Sequence, residues 1–151
     1  MTTHSETRVV PYPPELMFQV VGDVEKYPQF LPWCVGLRVL KRDHVKGREV
    51  LQAEMIVGYK GIREKYTSRV ILDCEAMTIS VTQTDGPFRV LENHWKFAAE
   101  DNGTKVDVSL AYEFRSRMLN MVAGVAFGRV YEKMADAFEG RAKKLFEQAQ
   151  Q

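Results

Sequence analysis

Apolar and polar side chains alternate one by one through the middle of the chain and change to a helical spacing near its end. Leu51, Ala53, Met55, Val57 and Tyr59 alternate with Gln52, Glu54 and Ile56. After a turn signalled by Gly58-Tyr59-Lys60-Gly61, Tyr66, Ser68, Val70 and Leu72 alternate with Thr67, Arg69 and Ile71, which predicts a long hairpin. Met77, Ile79 and Val81 continue the pattern, Asp85-Gly86-Pro87 turns the chain, and Leu91, Trp95 and Phe97 then share a face between Phe88 and Phe97. Val106, Val108, Leu110, Tyr112 and Phe114 form the clearest strand, preceded by the hairpin signal Asp101-Asn102-Gly103. Upstream, the period becomes twofold at about Leu37. An earlier strand over Thr7 to Val10 ends at Pro11, Pro13 and Pro14. Pro14 is suited to open a helix that runs to Val21 and stops at Gly22. The stretch Asp23 to Trp33 concentrates Tyr27, Phe30, Trp33, Pro28 and Pro32, which predicts a rigid, well-packed connection containing a short helix.

From about Met118 to Gln148 the spacing predicts one long amphipathic helix. Leu119, Val122, Ala126, Val130, Met134, Phe138, Ala142 and Leu145 fall on one face, and Arg129, Glu132, Lys133, Asp136 and Lys144 fall largely on the other. At about 1.5 Å per residue it reaches roughly 45 Å, enough to cross a small sheet. Met118 to Gly128 carries no charged side chain, so this part is expected to be buried or to touch something apolar. Gly124 and Gly128 each cost about 1 kcal/mol relative to alanine inside a helix, which suggests a close approach there.

The expected architecture is α+β. A seven-stranded antiparallel sheet wraps around the long C-terminal helix, with two short helices after the first strand, in a single domain spanning residues 1–151. Antiparallel strands with one apolar face need a cover, and only the last helix is long enough to supply it. One helix does not fully cover seven strands, so the gap is expected to be filled by large side chains or left as an apolar cavity.

Composition narrows the chemistry. With 21 basic and 20 acidic residues the net charge is +1, so no global field favours nucleic acid or an anionic membrane. A mild basic excess, Arg115, Arg117, Arg129, Lys133, Arg141, Lys143 and Lys144 against Glu132, Asp136, Glu139 and Glu147, is confined to the C-terminal part. Cys34 and Cys74 have neither metal-site spacing nor disulfide density. The polar N-terminus and the absence of a long apolar run place the chain in the cytoplasm, with visits to a membrane surface at the periphery of the inner membrane. His4, His44 and His94 are scattered, and no zinc, redox or phosphate-loop motif occurs, so neither a metal nor a nucleotide is expected. Glu54, Arg63, Glu64, Arg69 and Arg89 are candidates for buried acid or base work, but outward cross-strand pairs account for them more simply. No catalytic residue is assigned.

Apolar, aromatic and flexible side chains accumulate where a cavity would lie. The candidate ligand-binding residues are Phe30, Trp33, Met55, Val57, Tyr59, Phe88, Leu91, Trp95, Tyr112, Phe114, Met118, Met121, Val122, Val125 and Met134. Methionine suits a pocket that adapts to a flexible guest. Arg115, Arg117 and Lys60 are candidates for orienting a polar head at the mouth.

The element order, with Asp23-x-x-x-Tyr27-Pro28-x-Phe30-x-Pro32-Trp33 and Asp85-Gly86-Pro87-Phe88-Arg89-x-Leu91-x-x-x-Trp95-x-Phe97, resembles the coenzyme Q-binding branch of the START and polyketide cyclase superfamily, which has a helix-grip fold. The resemblance runs from Thr7 to the final helix. It implies a noncatalytic carrier or chaperone that holds a polyprenyl quinone such as ubiquinone for respiration or quinone biosynthesis. Tyr27, Pro28, Phe30, Pro32, Trp33, Gly86, Pro87, Phe88 and Trp95 match as family markers near the pocket. The lack of a targeting peptide departs from mitochondrial members and points to a bacterial protein. Two alternatives follow from the same resemblance. One is a ribosome association toxin of the RatA kind, which binds the large ribosomal subunit and blocks subunit joining. The other is an aromatase or cyclase, which needs a buried titratable group.

Overall fold

The architecture is described from a computed structural model, covering residues 1–59, 61–122 and 124–150, with the backbone alone considered at Gly124 and Val125. Seven strands form one antiparallel sheet in the order β1-β7-β6-β5-β4-β3-β2. They are β1 (Thr2–Val10), β2 (Cys34–Val45), β3 (Arg48–Tyr59), β4 (Ile62–Asp73), β5 (Thr78–Asp85), β6 (Phe88–Glu100) and β7 (Gly103–Phe114). Between β1 and β2 lie α1 (Pro14–Gly22), a 3-10 turn (Val24–Lys26) and α2 (Tyr27–Phe30). This connection carries the chain from one sheet edge to the other. After β7 come α3 (Arg117–Val122) and α4 (Gly124–Ala149).

One boundary differs from that read in the pattern. The first strand begins at Thr2 rather than Thr7, because its mostly polar residues join the sheet through backbone pairing with β7, from Thr2 opposite Tyr112 to Val10 opposite Thr104. Arg8 then ties this edge to α4 through Asp136 and Glu139, each at 2.9 Å. The helix expected over Met118 to Gln148 is found as α3 and α4, which flank Ala123, a residue outside the described ones.

The inner sheet face is assembled by register. Leu51, Val70, Val81, Asn93, Leu110 and His4 stand opposite one another in turn across β3, β4, β5, β6, β7 and β1. Irregularities in pairing between Thr67 and Ser68, and between Phe88 and Val90, add local twist that helps the sheet curl around α4. One buried cluster joins Met17, Val20 and Val21 of α1 with Leu51, Ile79, Trp95 and Phe138. A second joins Phe88, Leu91, Leu110, Tyr112, Phe114 and Tyr131. Helix α1 therefore shares the work of covering the sheet with α4, and large side chains fill most of the gap between the layers.

Candidate functional site

A cavity of about 100 Å³ remains between the sheet and α4. Trp33, Met55, Val57, Leu91, Trp95 and Met134, all expected at the site, line it. The connection after β1 supplies Val24, Tyr27 and Leu31, and α4 supplies Phe127, Val130, Tyr131 and Phe138. A second cavity of about 30 Å³ shares Val57, Tyr66, Phe127 and Val130 with the first. Tyr59, Phe88 and Phe114 line this smaller space, together with Ile62 and Glu64. Phe127 is held among Phe88, Tyr112 and Phe114, with ring centres 5.3, 4.6 and 6.0 Å away. It is thus part of the wall between the two spaces.

Several expected residues lie elsewhere. Phe30 packs outside both cavities, edge-on to Phe138 at 5.5 Å and beneath the Arg141 guanidinium. Tyr112 is buried against Phe127 and His4 and lines neither space. Met118, Met121 and Val122 are 70, 80 and 61 % exposed, which corrects their assignment to a cavity wall. The physical reason is that the chain here is anchored through Leu119 and Asn120. Leu119 packs against the aromatic cluster, while the Asn120 side chain accepts from the Phe114 backbone N–H at 3.0 Å and donates to the Phe114 carbonyl at 3.1 Å. The rest of the helix then faces outward. The side chain of Val125, and Lys60 as a whole, lie outside the described residues.

The acid–base candidates mostly face away from the cavity. Glu54 pairs with Arg38 at 3.3 Å and Arg89 with Glu113 at 3.5 Å, while Arg63 and Arg69 are exposed. Glu64 alone among them reaches the smaller cavity. The exposed His94 lies 3.2 Å from the Ser80 hydroxyl. Among the described residues no His, Cys, Asp and Glu side chains cluster closely enough to hold a metal, and no helix is long and apolar enough to cross a membrane. Cys34 is buried, and desolvation pushes its thiol up to about 11, which disfavours a nucleophilic thiolate at neutral pH.

Four polar side chains in the main cavity wall were absent from the expected site: Tyr66, Ser68, Asn93 and Tyr131. Burial raises the Tyr66 hydroxyl above the ordinary tyrosine range, so it stays protonated; it lies 3.6 Å from the Met55 sulfur. Asn93 accepts from the Trp95 indole at 2.8 Å and donates to the Ser109 carbonyl at 2.8 Å. Ser68 and Asn93 carried a signal in the pattern, since each interrupts an apolar strand face, between Tyr66 and Val70 and between Leu91 and Trp95. Tyr131 and Phe127 carried none.

Residues 10–139 match the family model described as polyketide cyclase / dehydrase and lipid transport. The chain belongs to this family. It is 35% identical over 148 residues to the ribosome association toxin RatA of Rickettsia prowazekii, covering 96% of this chain and 99% of that one. It is 29% identical over 139 residues to the mitochondrial coenzyme Q-binding protein coq10 of Schizosaccharomyces pombe, covering 91% and 84% of the two chains. Among solved structures, an 18 kDa protein of Caulobacter crescentus superposes with a TM-score of 0.80 at 35% identity, covering 97% of this chain and 99% of that one. The fold is START-like.

Proposed function

We propose that this protein is a noncatalytic binder of a hydrophobic ring-and-tail molecule, a polyprenyl quinone of the ubiquinone kind, that carries or chaperones it. The observation that carries the reading is the apolar cavity itself. Its described lining is mostly aromatic and aliphatic, with two methionines and the neutral polar Ser68 and Asn93, and contains no Asp, Glu, His, Lys or Arg. Such a wall offers burial at about 25 cal/mol per Å² of apolar surface, and its tyrosine hydroxyls, raised by desolvation, stay protonated at neutral pH.

The size of the cavity sets a condition. Pockets for small organic ligands usually measure about 300–1,000 Å³, so a space of about 100 Å³ accepts a ring only if its walls move. Met55 and Met134 are flexible enough to yield, and displacement of Phe127 opens the smaller cavity to the larger. That second space lies beside the aromatic cluster on which α3 rests, so a tail passing through it leaves near the exposed Met118, Met121 and Val122. These three side chains give the protein a place to touch a membrane surface. Mass spectrometry of lipids extracted from the purified protein is expected to reveal a quinone. Repeated failure to find or load one overturns the reading.

A second reading is favoured by the 35% identity to a ribosome association toxin over nearly the full chain. On that reading the partner is the large ribosomal subunit, and the contact is made by the basic residues of α4 such as Arg129, Lys143 and Lys144. Co-sedimentation with ribosomes in sucrose gradients across salt concentrations tests it, because phosphate contacts weaken steeply with salt. Recovery of the protein only in the free fraction excludes it.

A further inference from the structure

We infer that the oxygen-bearing ring of the guest is inserted first, deep in the main cavity, where Ser68 on the sheet and Tyr131 on α4 donate hydrogen bonds to its oxygens. This rests on the ring-and-tail reading above and reverses the expectation of a head held at the mouth by arginines. Arg115 and Arg117 are exposed, and Arg115 donates to the Gly86 carbonyl at 3.3 Å.

Ser68 is 4% exposed, lines the cavity, and its hydroxyl has no hydrogen-bond partner among the described residues. The polar groups around it are engaged elsewhere. Gln83 stands opposite Ser68 across β4 and β5, but its amide donates to the Phe88 carbonyl at 2.7 Å and accepts from the Phe88 N–H at 3.0 Å. Asn93 is held by Trp95 and Ser109, and the Tyr66 hydroxyl is turned to a sulfur. On the other strand neighbour the opposing residue is Ala53. A buried hydroxyl left unpaired is costly, whereas alanine at this position would carry no such penalty. Tyr131 presents the same anomaly from the helix side. It lines the same cavity at 7% exposure, and its buried hydroxyl also lacks a partner among the described residues.

Water satisfies this pair poorly. A buried water needs two to four polar partners, and the remaining wall is overwhelmingly apolar. A flat ring with carbonyl oxygens at its edge matches better, because it brings acceptors to both hydroxyls and apolar faces to Trp95, Leu91 and Met134. The class of ligand implied is therefore a ring with hydrogen-bonding oxygens at its edge, as a quinone has.

The test uses the full chain with two probes, decylubiquinone and decylbenzene, which share a ten-carbon tail but differ in ring oxygens. Binding is followed by quenching of tryptophan fluorescence, since Trp33 and Trp95 both line the cavity. Ser68→Ala and Tyr131→Phe are each expected to weaken decylubiquinone binding roughly five- to tenfold, as loss of one hydrogen bond implies. Decylbenzene affinity should stay within about twofold, and empty S68A should melt no lower than the parent. Unchanged decylubiquinone affinity in both variants, or equal affinity of the parent for the two probes, overturns the inference while leaving a lipid binder. Failure of the parent to bind either probe removes the proposed function and this inference with it.

Discussion

Gly86 shows how one residue constrains the neighbourhood of the site. Its φ is +151°, and a Cβ placed there would lie 2.5 Å from the Tyr66 Cβ and 2.6 Å from the Gln83 Oε1. Gln83 clasps both backbone groups of Phe88, and Phe88 stacks on Phe114 at 4.5 Å. Gly86→Ala is therefore expected to cost at least about 2 kcal/mol, through clash and backbone strain together. Urea denaturation measures this, and a midpoint equal to the parent's would refute it. The buried acids make a second prediction at this scale. Desolvation raises the Tyr27 and Tyr66 hydroxyls, and it raises the Cys34 thiol from 9.0 to about 11. Each folded-state value lies above its unfolded value, so the unfolded chain loses these protons first as the solution becomes alkaline. Their contribution is complete below pH 9 and is lost as pH rises through about 11 for Cys34, with the tyrosines extending the decline. Melting temperatures between about pH 8 and pH 11 should fall, and Cys34→Ala should flatten the first part of the fall. A level profile in the parent protein would contradict the assignment.

At the scale of elements, the relation of α4 to the sheet decides how large the interior becomes. Phe127 borders both cavities, so shortening it is expected to merge them. Phe127→Ala should lower stability by about 3 kcal/mol through lost packing, yet admit decylubiquinone faster than the parent does in stopped-flow fluorescence. Slower or unchanged association would mean that the guest takes another path. The clasp of Asn120 on Phe114 is a second hinge between elements, because it fixes where α3 departs from the end of β7. Asn120→Ala removes two hydrogen bonds and is expected to cost about 1–2 kcal/mol. Protection of the α3 amides in hydrogen exchange should fall with it, whereas unchanged protection would show that Leu119 suffices as an anchor.

For the whole molecule, the opposite ends of the interior have different characters. Trp33, Trp95 and Phe138 line the main cavity, and the exposed Met118, Met121 and Val122 lie on α3, which follows the end of β7 whose Phe114 lines the smaller cavity. Replacing these three by serine should leave the melting temperature nearly unchanged, because little of their surface is buried in the fold. Binding to quinone-loaded anionic vesicles should drop at least tenfold in a flotation assay, since each apolar side chain buried in a membrane is worth about 1.5–3 kcal/mol. Equal flotation of the variant would remove α3 as the contact. The net charge of +1 gives such a contact little long-range help, so it depends on apolar insertion more than on salt.

Local chemistry was enough to foresee the seven strands, the helix opened by Pro14 and the helical C-terminal segment, because alternation, turn residues and capping preferences act between near neighbours. Part of the cavity wall was legible for the same reason: Trp33, Met55, Leu91 and Trp95 each belong to an apolar face or an aromatic cluster in the chain. The polar strand at Thr2 escaped notice because pairing with β7 is a contact between distant parts of the chain. The outward turn of Met118, Met121 and Val122 escaped it because an apolar segment reads alike whether it is packed or bare. Whether Ser68 finds a partner depends on Gln83 being drawn away to Phe88. How much space is left depends on the side chains of Phe127, Met134 and Phe138 meeting the curved sheet. The sequence by itself determined which faces are apolar; only the tertiary structure decided what those faces leave unfilled, since empty volume and unpaired hydroxyls are properties of groups brought together from across the chain.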